Sequence, residues 1–228
     1  GGAGRGANFD PQNSGWIEVS GLRLQDGPPL HLTLLEDGTL AHAALPQPIP
    51  PGGQVVVELT FLAQLPHVTA RTGWALDANE QLFILAGQWF PKLGVWTEDG
   101  WNAYPFHANN EFFADFGSYE VEITVPEEFM IAATGVKAGT ASAPGQAGRT
   151  VWRFSASDVI DFAWAASPSF RYASRQAGGA ELVYVYLPEH EWSVQTALDA
   201  AENAFTSYSA WFGPYPYPRL TIVDVPED

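Results

Sequence analysis

Five histidines, 26 acidic residues and no cysteine set the terms on which this chain could do chemistry. A zinc-binding helix of the His-Glu-x-x-His type needs two imidazoles four residues apart on one face, with the glutamate as general base. His190-Glu191-Trp192-Ser193-Val194 opens that pattern and then places valine at the second ligand. The expectation there is a surface histidine beside Glu189 and Glu191 at the start of a helix. His31, His42, His67 and His107 are isolated in sequence. His107-Ala108-Asn109-Asn110-Glu111 gathers nitrogen and oxygen donors, but one imidazole and one carboxylate do not complete a metal site. No serine sits in a Gly-x-Ser-x-Gly elbow. The glycines at Gly2–Gly6 follow no strand, so they form no phosphate cradle. Glu98/Asp99 and Glu127/Glu128 fall at turns or strand ends, whereas a glycosidase needs carboxyls about 5–10 Å apart across a cleft. The lack of cysteine excludes disulfides, cysteine–zinc and iron–sulfur sites and a thiol nucleophile. It leaves the compartment open, because such a chain tolerates oxidising and reducing surroundings alike. On motifs alone, no complete catalytic set is present.

Residues that could act must be held by a core, and the composition supplies one. The chain has 228 residues, 46% of them hydrophobic, with 9 Trp, 8 Tyr and 14 Phe. Each aromatic can bury about 150–250 Å². Ten basic residues face 26 acidic ones, a formal charge of −16, and only Lys92 and Lys137 are lysines. Such a chain cannot neutralise a row of phosphates, which argues against nucleic acid, and an anionic membrane would repel it. No apolar run approaches the roughly 18 residues that span a bilayer. The acidity reads most simply as solubility.

The elements that would position a site are mostly short and extended. Residues 1–15 carry no apolar periodicity and read as a flexible start. Trp16–Val19, Leu22–Leu24 and Leu30–Leu34 have the period-2 alternation of half-buried strands. Glu36-Asp37-Gly38-Thr39 offers a hairpin turn. Pro46, Pro48, Pro50 and Pro51 impose an extended connection before the β-branched run Val55–Leu62. Strands are expected at Gln81–Ala86, Tyr119–Val125, Val151–Phe154 and Phe162–Ala166, with a turn at Asp99-Gly100. Met130–Thr134 is placed as a neighbour of Tyr119–Val125, and Ala138–Gly148 as a loop. After Gly178-Gly179 the pattern changes to a strand at Leu182–Tyr186, a helix from about Trp192 to Phe212, and a last strand at Leu220–Val225. Val194, Ala197, Leu198, Ala201, Phe205, Tyr208 and Trp211 recur at intervals of three and four, one stripe of the helix.

Two stretches go further. Ala86-Gly87-Gln88-Trp89-Phe90-Pro91-Lys92-Leu93, then Gly100-Trp101-Asn102-Ala103-Tyr104-Pro105-Phe106-His107, then Phe116–Pro126, make up the first. Trp211-Phe212-Gly213-Pro214-Tyr215-Pro216-Tyr217-Pro218-Arg219, continuing through Leu220–Pro226, is the second. In this order they resemble the aminopeptidase N family of zinc metallopeptidases, in a divergent bacterial branch. The first resembles the family's N-terminal β-domain, to whose last strands Asp158–Phe170 is also similar. The second resembles the start of its thermolysin-like catalytic domain. The likeness covers most of residues 15–228. It implies a mainly β fold, an antiparallel β-sandwich over residues 16–178 that forms the saddle-like N-terminal domain. A short α/β piece over 179–228 then begins the catalytic domain. It implies that the zinc ligands and catalytic glutamate lie beyond Asp228, so that no cofactor and no catalytic residue is expected on this chain, with zinc in the longer parent. It also implies that the front of the β-domain precedes Gly1.

By the same resemblance, Gln88 is the nearest match to the Gln or Glu with which the β-domain touches the substrate's N-terminal end. Its carboxamide can accept from an ammonium and donate to a carbonyl without burying a charge. The implied partners are a peptide substrate and the remaining catalytic domain. Where many family members carry an Ala-Arg-x-x-Phe-Pro-Cys-x-Asp-like segment, this chain has Trp89-Phe90-Pro91-Lys92 and Trp96-Thr97-Glu98-Asp99, so substrate preference does not transfer. The helix stripe is expected to lack its partner domain here. The alternative function is a free-standing β-sandwich module whose exposed Trp and Tyr bind peptide or carbohydrate; the cluster of Trp89, Trp96 and Trp101 suits either function, or simply a core. Sequence downstream of Asp228 separates the two.

Overall fold

The computed structural model describes residues 13–35, 38–105 and 111–227. The turn expected at Glu36-Asp37 and the stretch around His107–Asn110 lie outside them, as do residues 1–12. The chain is mainly β, with antiparallel sheets and one C-terminal helix. In chain order the strands begin with β1 (Trp16–Leu24), β2 (Leu32–Leu34), β3 (Ala41–Ala43), β4 (Val57–Gln64), β5 (Thr72–Leu76) and β6 (Leu82–Ala86). They continue with β7 (Val95–Thr97), β8 (Gly100–Asn102), β9 (Gly117–Pro126), β10 (Met130–Ala133), β11 (Val136–Ser142) and β12 (Arg149–Val159). After β13 (Trp164–Ser167), β14 (Arg171–Ala177) and β15 (Ala180–Tyr186), a 3-10 helix (Pro188–Ser193) leads into α1 (Val194–Phe212), and β16 (Arg219–Val223) follows.

Two compact units divide the described residues. One comprises those up to Gln64 together with Phe90–Asp115. It consists of three two-stranded antiparallel ladders, β1–β4, β2–β3 and β7–β8. β1 runs unbroken through Gly21, where a register shift between Val19 and Gly21 marks a bulge, so the two short strands expected there are one. Val95 is the only buried residue among the described residues of this unit. Two-stranded ribbons are marginal alone because they have few side chains to bury.

The second unit comprises Leu65–Trp89 and the described residues from Phe116 onward, and it holds the three core clusters. Its layers follow from side-chain alternation. In β10, Ile131 and Ala133 join Ile123, Val125 and Phe154 of the β11-β12-β9 sheet, while Ala132 points the other way. Ala165 and Ala166 of β13 split likewise between the two cores. The β10-β13-β6-β5 sheet is therefore buried on both faces along these strands, and the small alanines allow close packing. β15 repeats the device. Val183, Val185 and Leu187 meet Phe83 and Phe170, whereas Leu182, Tyr184 and Tyr186 meet Leu198, Ala201 and Phe205 of α1. A strand covered on both faces reads as an uninterrupted apolar run, as Leu182–Leu187 does.

Three expectations are corrected. Met130–Ala133 pairs with β13, not with β9, whose partner is β12. Much of the stretch read as a loop from Ala138 is β11, bonded to β12. The helix stripe finds its partner within the chain, on β15, although Tyr208 and Trp211 remain 57% and 69% exposed. Ser193 stands at the N-cap of α1 but makes no capping bond with its side chain; its hydroxyl donates to the His190 carbonyl at 2.7 Å. The change of pattern at Gly178-Gly179 is the turn of the β14–β15 hairpin. Both glycines have positive φ, +58° and +88°, as a two-residue turn of the twist-compatible kind requires.

Candidate functional site

Gln88 lies just beyond β6, at a place where the backbone is tightly held. A Cβ on Gly87 would come within 2.4 Å of the Arg71 carbonyl, so only glycine allows the approach. Past it, the Gln88 amide donates to Thr72 Oγ1 at 2.8 Å. Trp89 then anchors the chain, its indole N–H donating to the Phe162 carbonyl at 2.9 Å. The Gln88 side chain is exposed, and its carboxamide has no partner among the described residues. This polar group rests on a fixed backbone with both of its hydrogen-bonding ends available to a ligand.

His190 is not the surface histidine expected. Its side chain is 12% exposed, and Nδ1 lies 2.6 Å from Asp224 Oδ2. Asp224 follows β16 directly and also accepts from the Leu187 amide at 3.1 Å. The Asp224 carboxylate raises the imidazole pKa, chiefly through this hydrogen bond and against the effect of burial; the charges of Asp224, Glu189 and Glu227 add to it. Nε2 lies 3.6 Å from Glu227 Oε1. The dyad could hold a proton, but the Ser193 hydroxyl engages the His190 carbonyl and Tyr184, not the ring, so no nucleophile is aligned. The sequence signal was a lone carboxylate within the apolar run Ile222-Val223-Asp224-Val225.

The other candidates are not brought together. His42 is exposed on β3, and His67 stacks on Trp74 with centroids 4.3 Å apart. Glu98 and Asp99 are exposed in the β7–β8 turn, and Glu127 and Glu128 in the turn after β9. Among the described residues no three His, Asp or Glu side chains converge as metal ligands. His190, facing Asp224 and followed by valine at the second ligand position, does not fit a zinc centre. An apolar groove of about 800 Å³ runs along Ala132–Val136, Ser155–Val159 and Tyr215–Thr221 and includes neither Gln88 nor His190. No described helix is long and apolar enough to cross a membrane. Compared with known protein families and curated proteins, the chain matches no family model and no curated sequence.

Proposed function

We propose that this chain is the non-catalytic N-terminal portion of a zinc-dependent, aminopeptidase-like metallopeptidase. In this reading residues 16–178 are the antiparallel β-sandwich, saddle-like domain that walls the substrate cleft, and residues 179–228 open a thermolysin-like domain. The observation that carries it is the connection β15–α1–β16. After a long series of antiparallel strands, β15 and β16 pair in parallel across a helix, from Glu181 with Arg219 to Val185 with Val223. Parallel neighbours need such a crossover, and it begins where the resemblance puts the catalytic domain. Because β14 pairs with β15, the boundary at 178/179 falls within a hairpin turn.

In the same reading Gln88 receives the substrate's N-terminal ammonium on its amide oxygen and the first carbonyl on its amide nitrogen. The test is Gln88→Ala in the longer gene product, assayed on an aminoacyl anilide. A hydrogen bond to a charged group is worth about 1.5–3 kcal/mol, so kcat/KM should fall about 10- to 150-fold. The unfolding midpoint should hold, since the side chain has no protein partner among the described residues. Unchanged kinetics would remove Gln88 from the substrate site.

A second reading, a free-standing module for peptide or carbohydrate, is favoured by one feature. Trp96 and Trp101 form an edge-to-face pair on the β7–β8 hairpin, 64% and 56% exposed. Saturable binding of an oligosaccharide that Trp96→Ala abolishes would support it.

A further inference from the structure

We propose that the depression lined by Asp77, Glu189, His190, Trp192 and Glu227 binds a primary ammonium group carried on a small molecule. Asp77 is 5% exposed at the β5–β6 turn. Its Oδ1 accepts from the amides of Asn79 and Gln81 at 2.8 and 2.9 Å, which holds Glu80 at a φ of +58°. Its Oδ2 is buried and has no donor among the described residues. Glu189 repeats the arrangement. Oε1 accepts from the Ala78 amide at 3.1 Å, and Oε2 is buried without a donor among the described residues. Both orphan oxygens belong to residues that line the one depression, about 360 Å³ in volume. A buried carboxylate oxygen without a donor is costly, and native folds seldom leave one so.

Neighbouring donors are already engaged. His190 Nδ1 serves Asp224, its Nε2 faces Glu227, and Arg171 pairs with Glu191 at 3.5 Å. The charges facing the depression are the carboxylates of Asp77, Glu189 and Glu227, with the His190–Asp224 pair behind them. An –NH₃⁺ group has three donors and no acceptor, which suits two orphan carboxylate oxygens. Trp192, 77% exposed on the rim, offers an indole face that attracts a cation. A compact metal ion suits the site less, because the described residues bring no three ligands together. The inference stands apart from the peptidase reading.

The experiment is calorimetric titration with n-butylammonium chloride at pH 7 and constant ionic strength, against tetramethylammonium chloride, which has no N–H. The wild-type chain should bind butylammonium saturably and tetramethylammonium not at all. Asp77→Asn keeps the oxygen that forms the turn and should weaken binding at least about tenfold; Glu189→Gln, which leaves that turn alone, should do the same and serves if the first variant melts early. Equal heats from both salts would overturn the proposal. So would unchanged affinity in a folded variant.

Discussion

Asp224 accepts two hydrogen bonds on one oxygen, from the Leu187 amide and from His190 Nδ1, and so ties together the ends of β15, the 3-10 helix and β16. The link depends on pH in a definite direction. The folded pKa of His190 is raised, so its stabilisation is complete below the unfolded value of about 6.5 and is lost as pH rises through the folded value. Both side chains are largely buried, at 12% and 15% exposure, so screening discounts the interaction little. Asp224→Asn should therefore destabilise the chain by about 1.5–3 kcal/mol at pH 6, with a smaller deficit at pH 9. Denaturant unfolding at the two pH values checks this, and a deficit that does not change with pH would contradict it. Residue-scale features of this kind are hard to read in advance. His190 and Asp224 are 34 positions apart, and a histidine between two glutamates looks like a solvated one. Gln88 stood out only through the resemblance around it.

At the scale of elements, α1 and β15 explain each other. Phe205 is 7% exposed, its ring centroid lies 4.8 Å from that of Tyr215 with the planes tilted by 51°, and it comes within 3.1 Å of where a Cβ on Gly178 would stand. The helix thus seals the hairpin turn as well as one face of β15. Phe205→Ala should cost about 3–5 kcal/mol, the usual loss for a buried phenylalanine. Hydrogen exchange should show amides on the Leu198–Phe205 side of α1 slowed in wild type and released in the variant. Equal exchange in both would mean that the helix does not dock. The stripe was legible because it repeats at helical spacing over many turns, and the parallel β15–β16 strands were legible as apolar runs. β11 and β14 were not. Their sequences, Val-Lys-Ala-Gly-Thr-Ala-Ser and Arg-Tyr-Ala-Ser-Arg-Gln-Ala, lie at sheet edges with most side chains exposed, so the ladder holds them while no apolar alternation announces them. Arg175 of β14 reaches across to Asp199 and Glu202 of α1 at 2.7 Å, a pairing that periodicity does not reveal.

Across the whole molecule, the order of the parts matters more than any single motif. Antiparallel ladders come first, then a strand covered on both faces, then a helix and a parallel strand. Ten basic residues stand against 26 acidic ones, and the net charge of −16 gives no footing to polyanions. The mainly β class and the helix at the end could be read from pattern alone; pairing partners such as β10 with β13 could not, because neighbours in a sheet need not be neighbours in sequence. On the proposal that these elements form the front of a zinc aminopeptidase, the direct measurement is zinc content with aminoacyl-anilide hydrolysis, made on this chain and on the full product of its gene. The expected result is no tightly held zinc and no hydrolysis for residues 1–228, and one zinc per chain with chelator-sensitive hydrolysis for the full product. A reading frame that stops directly after Asp228, or a full product that holds no zinc and cleaves no anilide, would contradict it.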